Sequence, residues 1–276
     1  MKVTLITVCF NSAATLSTAI DSVLSQKGVD IEYIVVDGGS SDGTVEIIKE
    51  YAEKTLNSQL LTPNFTFRWL SESDQGMYDA INKGIKMATG DVVGILNADD
   101  VLASDDTLAH IVSAFNTDSY PLVPDSSRID AVYADIRFVR EGETVEAVRK
   151  AETVRYCSAK RWRPWMFRFA AMVPHPSFYV RRESFERLGG YSLDYRICAD
   201  FELELRYLYL AKLRAAYLPE CVVVMRMGGM STAGWRSNVL INREDLRALR
   251  AHGIWSCLPL IYLKYLFKIW GFILRR

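Results

Sequence analysis

The sequence predicts an α/β fold: a mostly parallel central sheet with helices on both faces, followed by an amphipathic helical extension at the C-terminal end. Three observations predict it. Short, nearly continuous apolar runs alternate with helix-length amphipathic segments, the pattern of strands buried on both faces. Polar residues collect where those runs stop, and in such sheets ligands bind beyond the carboxyl ends of the strands. Finally, the run Val92-Val93-Gly94-Ile95-Leu96 halts at Asn97-Ala98-Asp99-Asp100, two adjacent carboxylates that must be solvated, paired or bound to a cation.

Taken in order, residues 3–8 read as a buried strand and about 14–26 as a helix. Residues 31–36 and 45–51 repeat the pair, and 65–70 give a third strand. The segment 77–89 places Ile81, Ile85 and Met87-Ala88 on one apolar side, so it reads as a helix; Gly90-Asp91 then breaks the chain before the strand 92–96. Beyond Phe115 the rhythm changes. Residues 131–134 and 137–139 read as two strands with Glu141-Gly142 as a hairpin turn, 177–180 and 222–225 as further strands, and Asp200 opens a helix to about 213. A polar helix at about 237–251 leads into the tail.

Composition narrows the function. The chain has 276 residues, 50% hydrophobic and 24% charged, enough for one large α/β domain with an extension. Lysine and arginine number 33, as do aspartate and glutamate, so no global field favours nucleic acid and any charged partner must meet a local patch. The five cysteines are scattered without a C-x-x-C pair, which suits reduced thiols better than disulfides or zinc. No signal-peptide pattern follows Lys2, and a cytoplasmic location is expected.

The glycine-rich loop Asp37-Gly38-Gly39-Ser40-Ser41-Asp42-Gly43 reads as a phosphate nest or as a tight turn before a helix that Asp42 can cap. It is not a dinucleotide fingerprint, which belongs after the first strand, where Cys9-Phe10-Asn11-Ser12 stands. The combination of motifs says more. Thr7-Val8-Cys9-Phe10-Asn11-Ser12, the loop from Asp37 to Thr44, Asp74-Gln75-Gly76-Met77-Tyr78-Asp79-Ala80-Ile81-Asn82-Lys83-Gly84, Asn97-Ala98-Asp99-Asp100, Pro174-His175-Pro176-Ser177 and Cys198-Ala199-Asp200-Phe201 follow one another in order. Together they resemble the family-2 glycosyltransferases, with a GT-A type of Rossmann-like fold, and a subgroup similar to bacterial polysaccharide and colanic-acid transferases.

That resemblance implies an inverting, metal-dependent glycosyltransferase. Val8, Phe10, Asn11, Asp37, Gly76, Asp79, Asn97 and Asp99 would contact the nucleotide-sugar donor. Asp100, with Asp99, would hold Mg2+ or Mn2+ on the leaving diphosphate, a Lewis-acid role, and Asp200 would be the catalytic base. The pattern departs at Asn97, an amide where the family's DXD element is acidic, and at Gly38, where many relatives carry a second aspartate against uracil; the base stays open. Asp200 also reads as a simple helix cap, and its helix N-terminus favours the ionised form.

On the acceptor side stand His175, Arg163 and Trp165, the latter two in the basic and aromatic stretch 155–169. Indole faces stack on sugars and arginines clamp phosphates; a solvated basic face is the alternative. The resemblance divides the chain into a transferase domain, 1–235, with a donor half 1–116 and an acceptor half 117–235, and a membrane-associating tail, 236–276. In the tail, Lys264, Lys268 and Arg275 share a helix face. Two lysines at a bilayer centre cost about 5–7 kcal/mol, against about −0.3 to −0.6 for each apolar residue. A helix lying in the membrane plane is therefore expected rather than a spanning one; packing onto its own domain or a homodimer mate is the alternative. The expected acceptor is a lipid-linked saccharide at the inner membrane face. A nucleotidyltransferase, or an inactive sugar-nucleotide-binding scaffold, is the competing function.

Overall fold

The computed structural model describes residues 1–57, 64–116, 128–228 and 235–265. Its first part is a parallel sheet of β1 (Lys2–Cys9), β2 (Asp30–Asp37), β3 (Phe65–Ser71) and β4 (Val92–Ile95), in the order β3-β2-β1-β4. Side chains of a strand alternate between faces, and both faces are covered. Val3 and Leu5 pack with Leu16, Ile20 and Val23 of α1 (Leu16–Leu24) and Ile48 of α2 (Thr44–Asn57). Ile6 and Val8 pack on the other side with Ala80 and Ile81 of α3 (Met77–Met87). Leu16, Ala19, Ile20 and Val23 follow helical spacing, so the buried stripe of α1 is written in its sequence.

The sheet continues past β4 with a change of direction. After β5 (Val101–Leu102) and α4 (Thr107–Ala114), β6 (Ala131–Val139) enters as the centre of a mixed half. It pairs antiparallel with β7 (Arg155–Cys157) and β8 (Tyr179–Arg181), and parallel with β9 (Ala215–Arg226); β8 joins it to β4. Gly94 of β4 lies against the Tyr179 ring, which a Cβ at residue 94 would meet at 2.1 Å. The parallel reading therefore holds for the first half, while the second is mixed.

Three expectations change. The two strands at 131–134 and 137–139 are one, interrupted only by a register shift against β9 around Asp135. Glu141-Gly142 does not make a tight hairpin, because α5 (Val145–Lys150) stands between β6 and β7; Thr144 caps it by accepting the Ala147 N–H at 3.2 Å. The helix at Asp200 is α7 (Ala199–Glu204), reached after α6 (Arg182–Leu188), and it passes into a π-helical turn, Leu205–Leu210.

A fourth change concerns the tail. α8 (Trp235–Ala251) and α9 (Leu258–Tyr262) do not stand apart: Ala248, Leu249 and Ile261 are inaccessible and share a core with Phe167 and Phe201. Lys264, expected at lipid headgroups, is buried and its Nζ lies 2.6 Å from Asp245 Oδ2. A buried carboxylate on α8 requires a counter-charge, and the tail lysine supplies it. Lys268 and Arg275 lie outside the described residues. Among the described residues, no helix is long and apolar enough to cross a membrane.

Candidate active site

The loops after β1 and β2 are laced together. Asn11, at φ 50°, accepts the Ser41 N–H at 2.9 Å, and its own N–H donates to Ser40 Oγ at 2.7 Å. Asparagine tolerates this left-handed conformation because its short side chain bonds locally. Asp42 accepts from the Ala13 and Thr44 N–H groups, so it caps α2 as expected. Asp37 is inaccessible. Its carboxylate accepts from Gly39 N at 3.1 Å, Ser40 N at 3.0 Å and Ser71 Oγ at 2.7 Å, and from Ser40 Oγ. Burial pushes its pKa up, but the bonds from Ser40, Ser71 and Gly39 outweigh that and hold it below the usual range.

Asp37 thus organises the loop from inside it. Val8 likewise buries its side chain in the core. Phe10 is 63% exposed and its ring borders Gly38. A Cβ on residue 38 would come within 2.5 Å of Asp74 Oδ2, so the space beside Phe10 that a second aspartate would use is held by Asp74. Asp74 also accepts the Gly76 N–H at 2.7 Å, where Gly76 stands at φ 115°. Asp79 turns back on this loop, accepting from Gln75 N at 3.1 Å and lying 3.6 Å from Lys83 Nζ.

The Asn97–Asp100 turn joins β4 to β5. Asn97 Nδ2 donates to Asp100 Oδ2 at 2.8 Å, while Asp100 Oδ1, fully buried, has no hydrogen-bond partner among the described residues. Burial and then the neighbouring Asp99 charge push Asp100 well above the carboxylate range; Asn97 and Arg226 oppose the shift. Asp99 is raised by burial as well. Arg226, at the end of β9, donates to Asp99 O at 2.7 Å and Gly142 O at 2.8 Å. Sequence reasoning missed Arg226, which no local pattern marks. No group of three or more His, Cys, Asp or Glu side chains arranged for a metal occurs among the described residues.

Asp200 sits in the first turn of α7. Its Oδ1 accepts from Phe201 N at 2.8 Å and from Tyr78 Oη at 3.2 Å, and Tyr78 also donates to Ile197 O. Because α3 begins where β3 ends, Tyr78 brings Asp200 to the carboxyl edge of the sheet, the edge that carries the Asp37 loop and the Asn97–Asp100 turn. The segment before α7 is cradled by Glu244 of α8, whose carboxylate accepts the N–H groups of Arg196, Ile197 and Cys198 at 3.0, 2.9 and 3.1 Å. Burial pushes Asp200 up to about 6, against its bonds from Phe201 and Tyr78. The helix N-terminus alone suggested a more acidic group; burial wins, although at neutral pH the ionised form still dominates.

His175 accompanies this cluster: its Nε2 lies 2.7 Å from Tyr191 Oη, and the Tyr191 ring stacks on Tyr78 at 5.6 Å. Burial lowers His175 to about 4, so it is neutral. Asn82 fixes Tyr191 by donating to its O and accepting from its N, both at 2.8 Å. Tyr78 and Asn82 were missed as site residues, though they stand i, i+4 on one helix face within the motif. Glu204, one turn after Asp200, is inaccessible; Oε2 accepts the Val173 N–H at 3.1 Å and Oε1 has no partner among the described residues. The basic and aromatic stretch divides: Trp162 and Phe167 are core, Trp165 is 55% exposed, and Arg163 donates to Trp162 O at 2.7 Å within its own loop.

Residues 4–189 match the model of glycosyl transferase family 2. The chain belongs to that family. A PGL/p-HBAD biosynthesis glycosyltransferase of Mycobacterium bovis (strain BCG / Pasteur 1173P2) is 30% identical over 239 residues, 87% of this chain and 80% of that protein. An uncharacterized glycosyltransferase of Mycobacterium tuberculosis (strain CDC 1551 / Oshkosh) is 30% identical over 74% of this chain and 68% of its own. In fold, the transferase resembles a mannosyltransferase from Pyrobaculum calidifontis in complex with GDP-Man and Mn2+. The TM-score is 0.61 at 22% identity, covering 98% of this chain and 72% of that one. S. aureus TarS 1-349 gives 0.60 at 18% identity over 90% of this chain; this chain spans only 65% of that protein's length. The family-2 enzyme is a glycosyltransferase of the GT-A fold.

Proposed function

We propose that the enzyme is an inverting transferase that uses a divalent cation to move a sugar from a nucleotide-sugar donor to a lipid-linked saccharide acceptor. Residues 1–116 would serve the donor and 117–235 the acceptor. The observation that carries this reading is Asp100: a fully buried carboxylate with an unpartnered oxygen, beside a second carboxylate, fits a hard cation. Asp99 and Asp100 would hold Mg2+ or Mn2+ at the diphosphate of the donor. Bound there, the ion would supply Lewis-acid stabilisation of the leaving group.

The chain's own residues account for the rest. Phe10 offers an exposed ring to the nucleobase, and the loop fixed by Asn11 and Asp37 shapes the donor pocket. The amide of Asn97 orients Asp100, and Arg226 lends positive charge to the diphosphate end. Asp200 uses Oδ1 for Tyr78 and Phe201, which leaves Oδ2 to take the acceptor hydroxyl's proton. The acceptor oxygen attacks the anomeric carbon as the carbon–oxygen bond to the diphosphate breaks, inverting the centre. His175, held neutral on Tyr191, belongs to the acceptor side, with Trp165 and Arg163 as its outer contacts. The enzyme would work peripherally at the inner face of the cell membrane, in cell-surface polysaccharide assembly.

Incubating the protein with UDP-, GDP- and dTDP-sugars, Mn2+ or Mg2+, and lipid-linked acceptors tests this. Transfer with inversion in the presence of the cation is expected. Folded protein that neither transfers nor hydrolyses any donor would sink the proposal.

A further inference from the structure

The polar helix α8 segregates its charges. Its exposed positions from residue 243 onward include Arg243, Arg247 and Arg250, spaced i, i+4, i+7 along one face. Its acids point the other way: Glu244 caps the 196–198 backbone and Asp245 pairs with Lys264. Arg247 keeps its place over the Tyr195 ring, 4.4 Å from its centroid, and among the described residues no acidic group pairs with Arg243 or Arg250. The sequence extends the asymmetry: residues 246–276 contain no aspartate or glutamate but carry Arg247, Arg250, Lys264, Lys268, Arg275 and Arg276. Only Lys264 is neutralised by a described partner.

Apolar side chains border this face. Leu258 shares with the three arginines, Leu246 and Ala251 the lining of a groove of about 550 Å³. Tyr262 lies one helical turn beyond Leu258, and Trp255 is 73% exposed. Exposed indole and phenol rings in the segment that follows a row of arginines match the boundary between headgroups and acyl chains, where amphipathic rings sit and cations meet anionic lipid.

We propose that the arginine face of α8, with Leu258 at its edge and the exposed Trp255 and Tyr262 of the segment that follows, docks the enzyme on an anionic bilayer surface. This deepens the membrane location given above and replaces the lysine face of the tail as its basis. A second copy fits poorly, since a two-fold contact through this patch sets arginines against arginines. The chain's zero net charge makes the attraction local, so it orients the molecule as well as holding it.

Vesicle flotation without any donor sugar tests the surface separately from the transfer reaction. Wild-type protein should float with phosphatidylcholine vesicles containing phosphatidylglycerol, not with phosphatidylcholine alone, and should be released by high salt. The double variant Arg243→Gln/Arg250→Gln should bind about 25-fold more weakly, at about fivefold per charge, with an unchanged thermal transition. Trp255→Ser should weaken binding independently. Equal binding to neutral vesicles, or a double variant that floats like wild type, would overturn the proposal. So would sedimentation showing that the double variant abolishes self-association in a protein that binds no vesicles.

Discussion

Asp37 and Asp100 both lie inaccessible at the same edge of one sheet, yet their surroundings are opposite. Asp37 receives hydrogen bonds from Gly39, Ser40 and Ser71, and its charge is stabilised despite burial. Asp100 receives one from Asn97, keeps an unpartnered oxygen, and its charge is strongly disfavoured. The first completes a loop that needs no ligand to hold its shape. The second stores an unsatisfied demand that a cation and a diphosphate would meet. Asp200 and Glu204 fall with Asp100, since burial disfavours the charge of each.

Substitutions can break or sharpen that contrast. The largest effect is expected at Asp200: Asp200→Asn should lower kcat by about a hundred- to ten-thousand-fold and leave donor affinity by calorimetry unchanged. Full turnover in this variant would remove Asp200 as base. Next, Asp100→Ala should abolish the cation dependence of donor binding and weaken it by at least about tenfold, while unfolding free energy stays level or rises. Asp37→Ala should do the reverse in a denaturant titration, losing about 2–4 kcal/mol by stripping partners from several buried donors. Two variants with the same stability loss would erase the distinction.

The smallest effect is expected at Tyr78, where Tyr78→Phe keeps the stack on Tyr191 and removes one bond to Asp200. A several-fold loss of kcat should accompany an acidic limb moved above about 6, because the lost bond favoured the carboxylate. An unmoved limb would make Tyr78 merely a packing residue. Stability should follow opposite signs at the two acids. Asp200 is raised in the folded state, so its contribution grows as pH falls from about 6 toward its unfolded value. Asp37 is lowered, so its contribution is full at neutral pH and is lost as pH falls through its folded pKa.

The parallel half was legible almost residue by residue, because strands buried on both faces and helices with one apolar stripe announce themselves by period. The mixed half was not. The strand is interrupted by the polar Asp135, whose partners lie on β9 and in the Ala159 loop, so alternation alone split it. Asp99, Asp100 and Asp200 were visible as motif residues. The groups that tune them were not: Arg226 and Glu244 arrive from distant segments, and only the folded chain sets them in place. Lys264 shows the same limit, since helical spacing placed it on an outward face and could not reveal Asp245 waiting on α8.

The cradle that Glu244 builds for residues 196–198 also bears on how the protein can be cut. The family match ends at residue 189, before Asp200, and Asp200's support lies further still along the chain. A fragment trimmed to the matched region would keep the Phe10 loop, lose the Arg226 that holds the Asp99 carbonyl, and lack Asp200 altogether. One trimmed after α7 would carry Asp200 on a segment whose three N–H groups had lost their acceptor. Nicking between α7 and α8 should therefore silence transfer before it loosens the donor loops, and the protease-resistant core need not coincide with the working enzyme.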